Sequence, residues 1–378
     1  MTHNTQAYNY GSINEPMVLE DALAPGRIQP GQTIYLRAGT YPGNYLSSLS
    51  GAMESPIVIK PYNNERVIID GGLNSLGHFV HLYDLEIYFS GWVRRDEIPV
   101  DDPATHGGLI LTGVGNKAIG CIIHDTDGTA SWKNNWGGGY YECLIYNNGY
   151  LSPDRPHGPG IYTQNETPTQ YHHRNIVCMN YGTGMQVYTQ GESIQYFDIR
   201  DNILFQNERR EIVLGGTGGQ RMLYSVVDGN CMWEGDGYLR GTDITLTNNY
   251  SPNGFAIDEA SQNITQSGNT FEAPASGVNV FVIPLTYKVG AHIAIFNWDL
   301  SDSVNVDLTT VTGLNVGDAY KLHNAQDYYV DIVEGTVPAN KIIAVDMRAV
   351  SHSVAVRTGS TALATTFPNF GAFRLEKV

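Results

Sequence analysis

The side chains best suited to chemistry are concentrated in one short, proline-rich segment of the chain. This segment contains Asp154, Arg155, His157, Tyr162 and Gln164. Removing a proton next to a carboxylate and then expelling a neighbouring oxygen requires a cation for the carboxylate, a base and an acid. Arg155, His157 and Tyr162 could fill these roles in that order. The alternative is that Arg155 pairs with Asp154 and that His157 packs in a turn.

A second group, earlier in the chain, combines two carboxylates with two indole rings. Asp125 and Asp127 could supply half of a Ca²⁺ site or the carboxylates of a hydrolase. Trp132 and Trp136 could stack on a ring-shaped ligand such as a sugar. In the alternative interpretation, Asp127 and the following glycine form a turn, and the two indoles cover a loop.

Further polar and aromatic residues extend the first group along a predicted exposed sheet. In the strand-like segments that carry them, apolar residues alternate with Tyr and Gln, which places the polar set on the outer face. Together with the two Trp residues, the predicted ligand-contacting residues are Asp154, Gln164, Gln186, Tyr188 and Arg209. His172 and His173 could line the same side. The mixed-charge run 94–102 is typical of a solvated loop.

Composition and charge exclude several classes of function. The chain has 22 basic and 38 acidic residues and a net charge of −16, so it lacks the basic surface that binds nucleic acid. No apolar run reaches about 18 residues, so no membrane span is expected. The first ten residues lack the pattern of a signal peptide. We therefore expect either a leader that has been removed or release by a route such as lysis.

The elements that must position these residues are mostly short strands. One helix is predicted over 15–24, and β-rich runs closed by Gly, Pro or Asn follow it. Five later runs share one pattern and begin 22, 32, 27 and 28 residues apart, at Cys121, Cys143, Asn175, Asn202 and Asn230. Such periods predict a solenoid, in which each coil pairs with its neighbours. In this alignment, the group at Asp125 lies two coils before the group at His157.

The alignment also predicts what occupies one corner of the coils. Asn175, Asn202 and Asn230 would hydrogen-bond to the backbone of the neighbouring coil, and Cys121 would stack on Cys143 as a pair of buried thiols. The four cysteines have no CxxC spacing, which disfavours a metal site. From about residue 273, segments of alternating polarity occur at shorter spacing and predict an antiparallel β-sandwich. The predicted domains are therefore 1–272 and 273–378.

The opening of the solenoid resembles a known family. The segments 30–41, 56–60 and 68–71 look like the N-terminal entry of right-handed parallel β-helix proteins of the pectate-lyase-like superfamily. Over roughly 15–270, the resemblance implies an all-β, three-sheet solenoid with an N-terminal capping helix. The segment 294–298 is similar to β-sandwich domains at the C-termini of glycoside hydrolases. The active-site residues of pectate lyases and polygalacturonases could not be matched position by position.

The resemblance implies two functional hypotheses. The superfamily includes polysaccharide lyases, glycoside hydrolases and phage tailspikes, so a glycan-recognising depolymerase that acts outside the producing cell is expected. The alternative is a non-catalytic virion component, such as a tail, fibre or capsid-decorating protein. Either protein would be extracellular or virion-associated. Ca²⁺ is the cofactor to consider, a polysaccharide or cell-surface glycan is the expected partner, and a homotrimer would match the tailspike relatives.

Overall fold

A computed structural model describes residues 11–91, 108–131, 135–216, 219–357 and 363–378. The predicted charged loop 94–102 and Trp132 lie outside these ranges. The described chain is a parallel β-helix followed by an antiparallel β domain. In the described ranges, no helix has the length and apolar character needed to cross a membrane.

Each coil of the β-helix contributes one strand to each of three parallel sheets. Sheet 1 consists of β1 (Thr33–Leu36), β3 (Ile57–Pro61), β5 (Val80–Tyr83), β8 (Lys117–Ile119), β11 (Gly139–Tyr141), β16 (Gln170–His173), β19 (Ile194–Gln195), β20 (Phe197–Arg200), β23 (Met222–Asp228), β26 (Gly241–Thr247) and β28 (Gln262–Ser267). Sheet 2 consists of the first parts of β2 (Gly39–Ser47) and β4 (Val67–Ser75), then β6 (Glu86–Tyr88), β9 (Ile122–His124), β12 (Leu144–Tyr146), β17 (Ile176–Cys178), β21 (Ile203–Phe205) and β24 (Cys231–Trp233). Sheet 3 consists of the second parts of β2 and β4, then β7 (Gly108–Leu111), β10 (Thr129–Ser131), β15 (Ile161–Thr163), β18 (Met185–Val187), β22 (Ile212–Leu214), β25 (Gly237–Leu239) and β27 (Phe255–Ile257).

The register of sheet 2 agrees with the repeat read from the sequence. Ile122 pairs with Leu144, Leu144 with Ile176, and Ile176 with Ile203. Inward-facing apolar side chains from all three sheets form one continuous core along the solenoid. The predicted parallel solenoid of three sheets is therefore confirmed.

A two-residue corner joins sheet 1 to sheet 2 in successive coils. The first residue of the corner has a positive φ, as at Arg174 and Asp201. The second residue directly precedes the strand of sheet 2. The backbone N–H of Asn175 donates to Oδ1 of Asn202 at 2.9 Å, and that of Asn202 donates to Oδ1 of Asn230 at 3.0 Å. The predicted role of these corner asparagines is confirmed, because each amide satisfies a buried backbone group of the adjacent coil.

The N-terminal helix is shorter than predicted. α1 spans Leu19–Ala22, and Leu19, Ala22 and Leu23 are buried at the N-terminal end of the core. Residues 16–18 are extended or irregular, and Pro25 with Gly26 follows the last turn. The three buried apolar residues lie within one turn of helix, so the contact between this helix and the core does not extend over 15–24.

The C-terminal domain has a five-stranded and a two-stranded antiparallel sheet. The first contains β29 (Val278–Pro284), β30 (Gly290–Asn297), β35 (Phe370–Lys377), β32 (Ala319–Asn324) and β33 (Ile332–Thr336), and the second contains β31 (Ser303–Asp307) and β34 (Ile342–Asp346). The described chain also has two 3₁₀ turns, Tyr62–Asn64 and Ala349–Ser351. The alternation of residues 328–333 predicts one strand, but this is wrong in its first half, because 328–330 form a turn before β33. The predicted boundary at 272 falls between β28 and β29.

The five-stranded sheet packs on the outer face of sheet 2. Tyr146, Phe205 and Trp233 of the solenoid share an apolar cluster with Phe296 and Phe370 of the C-terminal domain. The Trp233 and Phe370 rings stack with centroids 5.5 Å apart. Sheet 2 strands from β12 onward are consequently buried on both faces. The outward residues of sheets 1 and 3 are partly exposed.

Candidate functional site

The outer face of sheet 3 presents a row of side chains across successive coils. Tyr162 pairs with Gln186, Gln186 with Val213, and Val213 with Tyr238. These residues are partly exposed, while their strand neighbours are buried. The row has the alternation expected from the sequence, and it forms a ligand-accessible surface along the solenoid.

A short hairpin projects from the corner between sheets 2 and 3 and adjoins this row. It consists of β13 (Tyr150–Leu151) and β14 (Pro156–His157), which pair antiparallel. Gly158 at its base has a φ of +73°, and a Cβ there would lie 2.2 Å from Cα of Gly149. Because only glycine tolerates that approach, the sequence fixes where the hairpin rejoins the coil.

The hairpin carries three of the predicted site residues. Nε2 of His157 lies 2.9 Å from Oδ1 of Asp154, and Nε of Arg155 lies 3.5 Å from Oδ2 of the same carboxylate. The hydrogen bond to His157 holds the pKa of Asp154 below its usual value. The His157 ring stacks on Tyr150 with centroids 5.4 Å apart. The contacts expected from the alternative interpretation, in which Arg155 pairs with Asp154 and His157 packs in a turn, are therefore present. The same contacts hold the imidazole and the guanidinium beside one carboxylate.

Tyr162 and Gln164 lie next to the hairpin on sheet 3. Nε2 of Gln164 donates to the Tyr162 hydroxyl at 3.1 Å and to the carbonyl of Tyr188 at 3.1 Å. Burial raises the pKa of Tyr162, although Gln164 and the Arg155 guanidinium act against that rise. A neutral phenol in this position can donate a proton.

The second predicted group lies one coil before the hairpin, not two. β9 pairs with β12 and β10 pairs with β15, so residues 125–128 and the hairpin occupy adjacent coils. The backbone N–H of Gly149 donates to the Thr126 carbonyl at 2.8 Å. The expected separation of two coils is wrong, because the run that begins at Cys121 pairs directly with the run that begins at Cys143. Residues 125–128 of the second group and the hairpin therefore lie at the same corner, between sheets 2 and 3.

Asp125 and Asp127 have different surroundings despite their spacing. Oδ2 of Asp125 lies 2.9 Å from Nδ1 of His124, whose Nε2 lies 3.2 Å from Oε1 of Glu86. Burial raises the pKa of Asp127 to about 6. In the described ranges, no group of three or more His, Cys, Asp or Glu side chains could hold a metal ion. The Ca²⁺ site at Asp125 and Asp127 therefore stays a prediction.

The remaining predicted residues lie in other coils or on other faces of the solenoid. Trp136 lies in the turn that leads to sheet 1, where its carbonyl accepts from the Gly115 N–H at 2.8 Å. Arg209 is exposed at the same corner as the hairpin, two coils further on. His172 points into the core, where burial lowers its pKa to about 3, and His173 lies on the outer face of sheet 1. The expectation that both histidines line the same side is wrong, because neighbours in a strand face opposite ways.

Sequence reasoning missed the far end of the sheet 3 row. Tyr238 donates a 2.7 Å hydrogen bond to Oδ2 of Asp258, and Arg210 lies over the Tyr238 ring at 5.3 Å. Nη1 of Arg210 is 2.8 Å from Oδ2 of Asp236. The available signal was the alternation of Gly237, Tyr238 and Leu239, which continues the pattern of the preceding sheet 3 strands.

Comparison with known proteins adds similar solved structures but no family model. No family model matches the chain, and no curated protein matches it. A crystal structure of a pectate lyase covers 70% of this chain and 75% of its own, with 16% identity and a TM-score of 0.45. An alginate lyase from Paenibacillus covers 68% and 95%, with 16% identity and a TM-score of 0.41. The Dettilon tailspike protein covers 91% and 86%, with 11% identity and a TM-score of 0.34. The parallel β-helix itself is established by the strand pairing of this chain.

Proposed function

We propose that this protein binds a polysaccharide along sheet 3 and cleaves it beside the hairpin, outside the producing cell. The observation that carries the proposal is the position of the hairpin, which holds Arg155 and His157 on Asp154 and leads directly into the sheet 3 strand that carries Tyr162. Long, shallow polar faces with aromatic rings suit an extended hydroxyl-rich chain. The similar solved structures, which include lyases and a tailspike, agree with this proposal without carrying it.

Elimination is the reaction that these three groups suit best. Arg155 would neutralise the carboxylate of an acidic sugar, which makes the neighbouring C–H more acidic. His157 would take that proton, since its contact through Nε2 with Asp154 leaves Nδ1 able to accept. The C–O bond of the leaving sugar then breaks as the C=C bond forms, and Tyr162 would protonate the departing oxygen.

Hydrolysis is the second catalytic possibility, and one observation favours it. The pKa of Asp127, raised by burial to about 6, suits a carboxyl that donates a proton near neutral pH. Asp154, whose pKa is lowered, would be the ionised partner. Asp127 lies in the coil adjacent to the hairpin, so both carboxyl groups would flank the same part of sheet 3.

A non-catalytic role in a virion is the alternative function. It is favoured by the ion pairs within the hairpin, because Asp154 already satisfies both His157 and Arg155 without a ligand. Under this alternative, sheet 3 would bind a surface glycan or another virion protein without cleaving it. Light scattering of the purified protein would test the trimer that accompanies this view.

Incubation with a panel of acidic and neutral polysaccharides tests the proposal. Ultraviolet absorbance from an unsaturated sugar establishes elimination, and new reducing ends without that absorbance establish hydrolysis. Combined His157→Ala and Tyr162→Phe should lower the rate by at least about 100-fold, as expected when acid–base groups are lost. Tyr224→Phe, at an exposed tyrosine on sheet 1, is the matched control. Unchanged cleavage by the double variant would refute this site, and a parallel titration with EDTA tests the predicted Ca²⁺.

A further inference from the structure

A cleft of about 1110 Å³ lies between the solenoid and the C-terminal domain, away from the hairpin. The ends of β3 and β5 and the start of β4 line one wall, and β32 and β35 line the other. The segment around Tyr287 closes it from the C-terminal side, where the Tyr287 ring approaches Tyr83 with centroids 6.1 Å apart. Clefts at domain interfaces are common positions for ligand sites.

Basic side chains outnumber acidic ones in the lining of this cleft, whereas acidic side chains predominate in the protein as a whole. Its lining contains six of the chain's 22 Lys and Arg residues but only four of its 38 Asp and Glu residues. The protein as a whole has a net charge of −16. A locally cationic cleft in an acidic protein concentrates anions at that position.

The acidic groups of the lining are engaged by cations of the fold. Lys288 bridges Asp84 at 3.2 Å and Glu376 at 2.8 Å, and buried Arg374 lies 2.7 Å from Glu376. These contacts lower the pKa of Glu376 to about 2 against the opposing effect of its burial. The Tyr287 hydroxyl donates to Asp84 at 2.6 Å and accepts from Arg374 at 2.6 Å. The floor is therefore a closed, internally neutralised network.

One lysine on each wall of the cleft makes weaker contacts with the protein than the cations of the floor do. Lys60, at the end of β3, lies over the Tyr35 ring at 5.3 Å. Lys321, on β32, pairs with Glu334 at 2.9 Å, but that carboxylate is 69% exposed and lies outside the lining. An exposed pair of this kind contributes little free energy, so a ligand anion can replace Glu334. Both lysines belong to the lining of the cleft, Lys60 on the solenoid wall and Lys321 on the wall of the C-terminal domain.

We propose that this cleft is a second carbohydrate-binding site, specific for an acidic oligosaccharide. Lys60 and Lys321 would bind sugar carboxylates, and the Tyr83 and Tyr287 rings would pack against the apolar faces of the sugars. This inference rests on the proposed function in one respect, namely that the ligand is a carbohydrate. The cleft would hold an acidic chain apart from the hairpin, so it would increase retention on a polymer without taking part in cleavage.

Calorimetry with a mannuronate hexamer and with a neutral cellulose-type hexamer tests this inference. The wild type should bind the acidic hexamer at two sites, and Lys60→Gln with Lys321→Gln should weaken one of them about tenfold. Arg348→Gln removes one charge at the surface of the C-terminal domain and is the control. The double variant should keep its cleavage rate on short substrates, because neither lysine is near the hairpin.

Each outcome separates the cleft from the hairpin site. Equal binding of the acidic hexamer by the wild type and the double lysine variant would overturn the cleft site, even if cleavage is intact. Equal binding of the neutral hexamer, or of an oligonucleotide of matched charge, would overturn its specificity for acidic sugars. Loss of binding in the double lysine variant without any cleavage by the wild type would support the cleft and refute the depolymerase.

Discussion

Replacement of Asp127 by Asn should stabilise the protein in a pH-dependent way. The carboxyl has a usual pKa of 3.8, and burial beside the hairpin raises its pKa to about 6. These values differ by about two, and each unit corresponds to about 1.4 kcal/mol, so ionising Asp127 in the fold costs about 3 kcal/mol. The folded-state pKa is raised, so the contribution of Asp127 to stability is complete below pH 3.8 and is lost as pH rises through about 6.

Urea unfolding of the wild type and Asp127→Asn between pH 3 and pH 8 measures this effect. The two free energies of unfolding should be nearly equal at the acidic end. The variant should become more stable by about 3 kcal/mol at the alkaline end, with most of the change between pH 4 and 6. Asp302→Asn, at an exposed side chain, should leave the curve unchanged. A pH-independent difference between wild type and Asp127→Asn would refute the argument from burial.

Three further predictions concern the corners, the domain interface and a buried ionic group. Asn202→Ala removes hydrogen bonds to Asn175, Asn230 and the His172 carbonyl, and it should lower the free energy of unfolding by about 3–5 kcal/mol in chemical denaturation. A loss below about 1 kcal/mol would contradict the corner role. Trp233→Ala should lower the free energy of unfolding by about 3–5 kcal/mol and split calorimetric melting into two transitions. A single transition at the wild-type temperature would show that this ring does not couple the domains. Burial lowers the pKa of His124, but hydrogen bonds to Asp125 and Glu86 outweigh this effect and raise the pKa overall. His124→Gln should therefore lower the melting temperature more at pH 6 than at pH 9. An equal fall in melting temperature at the two pH values would exclude a charged imidazole.

The solenoid could be predicted from the sequence because each coil repeats a local pattern. The runs at Cys143, Asn175 and Asn202 combine a small or amide corner residue with a short continuous apolar segment, and a parallel stack satisfies all of them in one register. The first antiparallel strands were harder to find. β29 and β32 lie outside the alternating segments of the sequence, although β29 pairs with the next strand, β30. β32 pairs with the distant β35, and such a pairing leaves no period in the chain.

The candidate site could be predicted in part for the same reason. The outward positions of Tyr162 and Gln186 follow from alternation within a strand. The placement of Asp125 could not be predicted in this way, because its carboxylate pairs with the neighbouring His124 imidazole. The network at Asp84 and Arg374 was also beyond sequence reasoning, since its members are separated by most of the chain.

The sequence by itself determined that this protein is a solenoid of short strands with polar corners and an acidic surface. Glycine, asparagine and alternating apolar residues act within one coil or between neighbouring coils, so their effects can be read locally. Only the tertiary structure decided which faces are open. The C-terminal domain covers sheet 2 with a second apolar layer, leaves sheet 3 accessible and creates a cationic cleft at its edge. That choice depends on the complementarity of two distant surfaces, and no local pattern encodes it.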